Sequence, residues 1–167
     1  MGHARQIAAA LALCAAAAPA LAQESLASTE APAVSDASEL SAVERWEMDP
    51  GVFLDAADVT LADFLYIARP VIVFADSPND PRFAEQVAML EADLGQLVVR
   101  DVVVILDSDP SAESDARAQL RPRGFGIVLI SKDGRIAQRK PDPFTVREIG
   151  RAIDKMPLRQ QEIREGG

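Results

Sequence analysis

Two unbroken runs of apolar, mostly β-branched residues constrain this chain more than anything else in it. "PVIVFA" (residues 70–75) and "DVVVILD" (residues 101–107) show no polar–apolar alternation, the pattern of strands buried on both faces of a sheet. The segment between them reads as a helix. Asp80 stands as N-cap, Pro81 takes the first helical position, Phe83, Val87, Leu90 and Leu94 recur at helical spacing, and Gly95 is the stop. A strand, a crossover helix and a second strand imply a βαβ unit.

The remaining segments fit around that unit. "TLADFLYIAR" predicts a short amphipathic helix opened by Thr60, with Leu61, Phe64, Leu65 and Ala68 on one face. Asp109-Pro110-Ser111 predicts another, carrying Ala112, Ala116 and Leu120. "GIVLIS" and "RIAQRK" flank Lys132-Asp133-Gly134, a tight hairpin in which Gly134 supplies positive φ. Thr145 and Glu148 form a capping box for a last helix with Val146, Ile149, Ile153 and Met156 on one face, ended by Pro157. The fold class is α/β: a three-layer sandwich whose mixed sheet of four to five strands has helices on both faces and ends in a β-hairpin and a helix.

Residues 1–22 contain Arg5, an apolar run from Ile7 to Ala18, Pro19 and Ala20-Leu21-Ala22. This is the anatomy of a secretory signal peptide cleaved after Ala22, its apolar run too short to span a bilayer. A lipid anchor on Cys14 is the alternative, opposed by the bulk of Leu13 and by the Ala15–Ala18 stretch it would leave on the mature chain. Cleavage removes His3 and Cys14, the only histidine and the only cysteine. The mature chain then has no thiol nucleophile, dithiol, imidazole base, disulfide, or ordinary zinc or haem site. Residues 23–45, rich in Ala, Ser, Thr, Glu and Pro, read as a disordered linker, and 46–164 as one domain.

The net charge of −9 becomes −10 without Arg5, and it is unevenly placed. Residues 46–115 hold 15 acids and 3 bases, whereas 116–167 hold 6 acids and 12 bases. This asymmetry reads either as attraction between the packed halves plus solubility or as a basic face that recognises an anion. The acidic total and the scarcity of aromatics in the basic half speak against nucleic acid.

"RGFGIVLISKDGRI" resembles the end of a thioredoxin domain. On that pattern Pro78-Asn79-Asp80-Pro81 falls where thioredoxins have Cys-Gly-Pro-Cys, and Gly126 where they have the cis-proline. More closely, "RPVIVFADSPNDPRF", "RDVVVILD", "FGIVLISKDGRI" and "IDKMPLRQQEIR" resemble the bacterial exported family catalogued as domain of unknown function 4174. The same domain is repeated in secreted matrix proteins such as equarin and the sushi-repeat-containing proteins. The resemblance implies a thioredoxin-like fold and an exported location. It implies no reaction and no catalytic residues.

Open α/β sheets bind ligands outside the carboxyl ends of their strands, which directs attention to the loop after residue 75. Candidate ligand- or partner-binding residues are Asp76, Ser77, Asn79, Asp80 and Arg82, with Arg123 and Gly126 expected opposite and Arg159 in the terminal stretch. Asp80 as cap, Pro81 as helix starter and Ser77-Pro78-Asn79 as a turn explain the same residues structurally. "DSDPSAES" lacks the glycine and closing glutamate of a calcium loop and reads better as a helix cap, "RPRG" reads as a solvated turn by default, with two guanidiniums for phosphate as the alternative, and "MPLRQQEIREGG", whose Arg159 can fold back onto acids of the first half, is either a solvated helical turn or a docking surface for a partner. No cofactor or metal is expected. Two functions follow: a non-catalytic module binding an unknown protein or small anionic ligand in the cell envelope or exterior, or an enzyme using Asp76 and Asp80 as acid and base.

Overall fold

In the computed structural model, which describes residues 40–166, the two apolar runs form the middle of a five-stranded sheet. Strand β1 (Phe53–Asp55) lies at one edge, β2 (Arg69–Phe74) and β3 (Val102–Asp107) at the centre, and β4 (Gly126–Ile130) and β5 (Ile136–Lys140) beyond β2. The order is β1-β3-β2-β4-β5, with β1, β3 and β2 parallel and β4 and β5 antiparallel. Gly134, at φ 81°, turns the hairpin between the last two. The α/β class, the mixed sheet and the helices on both faces are as the sequence implies.

Every residue of β2 is buried, so its alternating side chains feed two cores. Ile72 and Phe74 join Trp46, Phe64, Ile105 and Leu120 on one face, under helices α1 (Ala42–Met48) and α4 (Asp115–Leu120). Val71 and Val73 join Phe83, Leu90, Ile149 and Ile153 on the other, under α2 (Pro81–Ala92), α3 (Leu94–Val98) and α5 (Val146–Asp154). Each such side chain contributes about 1.5–3 kcal/mol by leaving water.

Five sequence expectations need correction. The signal segment and residues 23–39 lie outside the described residues, but the linker does not run to 45: Ser41 and Glu44 form a capping box that starts α1, and Trp46 Nε1 donates to the Val102 carbonyl at 3.2 Å. "TLADFLYIAR" makes only a 3₁₀ turn, Leu61–Phe64, with no side-chain bond from Thr60. The Leu61 amide is taken by Asp115 from α4 instead, and Arg69 is already in a strand with Pro70 behind it, which disfavours helix. Gly95 does not stop the chain's helical run but sits inside α3, and Asp109 caps a 3₁₀ turn, Pro110–Ala112, while Ser114 caps α4. Pro157 opens α6 (Pro157–Glu165) rather than ending the structure.

Helix α6 has no buried residue of its own, so ionic contacts must hold it. Arg69, the first residue of β2, is fully buried, and its guanidinium donates to the Arg100 carbonyl at 2.8 Å and to Glu162 Oε1 at 2.7 Å, with Asp101 at 3.5 Å. Lys132 bridges Asp101 and Glu162 at 2.8 and 3.2 Å, and Arg159 holds the second oxygen of Glu162. Nearby, Arg100 grips both carboxylate oxygens of Asp154 at 2.9 and 3.0 Å, tying the turn after α3 to α5. Gly150 makes room for it: a Cβ there would stand 3.3 Å from Arg100 Nε.

Burial pushes the Glu162 carboxyl up, but hydrogen bonds from Arg69 and Arg159 and the Arg69 charge outweigh it and hold it below the usual range. Its contribution is therefore present above the ordinary glutamate pKa and is lost as pH falls through the lowered folded value. Glu162→Gln is expected to cost about 1–3 kcal/mol in urea unfolding at pH 7, and the difference is expected to shrink steadily as pH is lowered below the ordinary glutamate range. A difference that stays constant down to full protonation of the carboxylates would contradict the assigned role.

Candidate functional site

At the carboxyl end of β2 the chain leaves the sheet through Ala75, whose amide bonds the Asp107 carbonyl at 2.8 Å, and reaches α2 within a few residues. Ser77 Oγ accepts from the Asn79 amide at 3.2 Å, and the Asp80 amide closes the turn on the Ser77 carbonyl at 3.1 Å. Asp80 Oδ1 then accepts from the Arg82 amide at 2.8 Å, the N-cap bond expected of it. The Arg82 side chain returns to Asp80 at 3.2 Å while its guanidinium lies 5.0 Å above the Phe125 ring. The Arg82 side chain and backbone amide hold the Asp80 carboxyl below its ordinary range.

A second set of contacts fixes the base of the loop. Arg117 of α4 donates to Asp107 Oδ1 at 2.6 Å and to the Ala75 carbonyl, and its guanidinium lies 5.7 Å from the Phe74 ring centre. Asp107 is buried and also accepts from Ser114 Oγ at 2.5 Å. Asp76, largely exposed, sits 3.7 Å from Arg117.

Asp76, Ser77, Asn79, Asp80 and Arg82 therefore meet, with Gly124, around one open depression. Arg123 and Gly126 do not join them. They line a neighbouring furrow with Arg121, Arg139 and Lys140, and Arg82 is the cation at the loop itself. Arg159 lies at the other end of β2, where it bonds the Val99 carbonyl and Glu162 of its own helix; from the acidic half it is Arg69 that reaches α6. Sequence reasoning missed Arg117, Asp107 and Arg139. An aspartate closing an apolar strand was the available signal for the first pair, because a carboxylate at a buried strand end needs a partner.

Among the described residues no three His, Cys, Asp or Glu side chains come together as a metal site. The chain's one cysteine, Cys14, lies outside the described residues, so no cysteine pair exists within it.

The family model described as domain of unknown function DUF4174 matches residues 60–162. This chain belongs to that family. Among solved structures, the DUF4174 protein is similar to the reduced 2-Cys peroxiredoxin of Plasmodium vivax, at 13% identity over 65% of this chain and 91% of that one, with a TM-score of 0.51. It is also similar to the mitochondrial 2-Cys peroxiredoxin of Plasmodium falciparum, at 16% identity over 68% and 90% of the two chains and a TM-score of 0.43. At such identities the first likeness is one of fold, and it makes the DUF4174 sheet thioredoxin-like. No curated protein matches the chain.

The loop geometry separates two carboxylates with different tasks. Asp107→Ala removes the buried acceptor of Arg117 and Ser114 and is expected to cost about 1–3 kcal/mol by chemical denaturation, whereas Asp76→Ala stays within about 0.5 kcal/mol. Asp80→Ala removes the α2 cap and lowers the Tm measured by circular dichroism.

Proposed function

We propose that this protein is a non-catalytic, thioredoxin-like binding module acting in the periplasm or outside the cell, delivered there by cleavage after Ala22. The observation that carries the reading is the β2–α2 loop, which stands where thioredoxins hold their dithiol. Its hydroxyl and its capping carboxylate are occupied by backbone amides and by Arg82. A general acid needs a raised pKa, and Asp80 is shifted the other way. A loop so satisfied presents a fixed shape for a partner to read. The partner is an unknown protein or a small anionic ligand, and the sequence likeness to the repeated domain of equarin and the sushi-repeat-containing matrix proteins supports an interaction role in an extracellular setting.

Carbon-detected NMR titration of the Asp80 carboxyl tests the reading. It is expected to titrate below the ordinary aspartate range, held there by Arg82. A raised value would replace binding with carboxylate catalysis. Intact mass of the secreted protein is expected to begin at Gln23, and recovery of a species retaining Cys14 would overturn the export route proposed here.

A further inference from the structure

The furrow beside the loop, rather than the loop depression, carries the ligand chemistry. We infer that it is a binding site for a small oxyanion of two or more negative charges, of phosphate or carboxylate type, an inference that rests on reading the domain as a binding module. The furrow encloses about 470 Å³ between the α4–β4 connection and the end of β5. Arg121, Arg123, Arg139 and Lys140 line it, and no acidic side chain does. Lys140 turns its ammonium to the opposite face of β5, over Phe144, so in a chain with 26 acids against 17 bases it is three arginines beside one acid-free hollow that mark a local reversal of sign.

These charges are largely unengaged. Among the described residues none of the four forms an ion pair within 4.0 Å. Arg139 uses one nitrogen on the Leu120 carbonyl, at 2.9 Å, which fixes the side chain without neutralising it. Lys140 lies 4.7 Å over the Phe144 ring, and its charge also acts on Glu148. Two acids approach this region from adjoining elements: Asp76 is 3.7 Å from Arg117, and Glu148, which feels the Lys140 charge, is held in the Thr145 capping box.

The frame is set in advance. Arg121 and Gly124, at the two ends of the Arg121–Gly124 connection, both adopt left-handed backbone, at φ 47° and 64°, and Pro122 between them fixes its own φ. Two guanidiniums on so constrained a segment suit bidentate hydrogen bonding to a tetrahedral or planar oxyanion. A preformed site avoids part of the ordering cost of binding.

The test is thermal shift and calorimetry on the mature protein with pyrophosphate and with citrate, each against sodium chloride of equal ionic strength, since simple screening acts on any exposed charge. Saturable stabilisation beyond the chloride control is expected with at least one of them, and which one responds assigns the phosphate or carboxylate type. The double variant R121Q/R123Q, both positions exposed, is expected to bind at least tenfold more weakly, as is Arg139→Gln. R147Q/R151Q on α5 is expected to bind as the parent does. Absence of saturable binding, or equal weakening in both double variants, overturns the inference. A lowered Asp80 pKa together with no anion binding would leave the module reading standing and remove only this site.

Discussion

A fully buried guanidinium at the start of the central strand is the constraint around which this fold is arranged. Arg69 cannot sit at the edge of two apolar cores unless its charge is answered, because a buried unpaired cation costs several kcal/mol. The Arg100 carbonyl, Asp101 and Glu162 answer it. That requirement explains why a chain that has already completed a thioredoxin-like sheet continues through Pro157 into a helix with no apolar face to bury. Helix α6 is a lid over one charge.

The two ends of the sheet use the same device for different purposes. At the amino end of β2 the cation is buried and the carboxylates surround it. At the carboxyl end Asp107 is buried and Arg117 covers it, while reaching across to the Ala75 carbonyl at the root of the loop. Between the ends the strands need only apolar neighbours. The acidic first half and basic second half of the chain thus become specific pairs, Asp107 with Arg117 and Asp101 with Lys132, instead of a diffuse attraction.

Much of this was legible in the sequence where one residue type has one dominant use. Unalternating β-branched runs became the central strands, Lys132-Asp133-Gly134 the hairpin, and Asp80-Pro81 and Thr145-Glu148 the starts of α2 and α5. The same code misled where tertiary partners overrode it. Thr60 has the look of a cap, yet Asp115, distant in sequence, takes the amide that a helix there would have freed. Ser41-x-x-Glu44 was a capping box hidden in a stretch whose composition suggested a tether. At the candidate site the loop residues gathered as expected, but from the Arg121–Gly124 connection it is Gly124 that borders the loop depression, while Arg123 lines the neighbouring furrow. Arg139 was invisible for a simpler reason: only the antiparallel register Val128↔Arg139 sets it beside the α4–β4 connection.

The glycine at position 150 has an implication for how this family can diverge. A helix interior ordinarily favours alanine over glycine, so the empty Cα there has to be kept by what rests on it, the flat face of Arg100. A methyl group at 150 would lift that guanidinium by a few tenths of an ångström and loosen its fork on Asp154. Positions 100, 150 and 154 are thus mechanically linked: the fork on Asp154 keeps its geometry while position 150 carries no side chain, and a chain without the arginine would have room there for one.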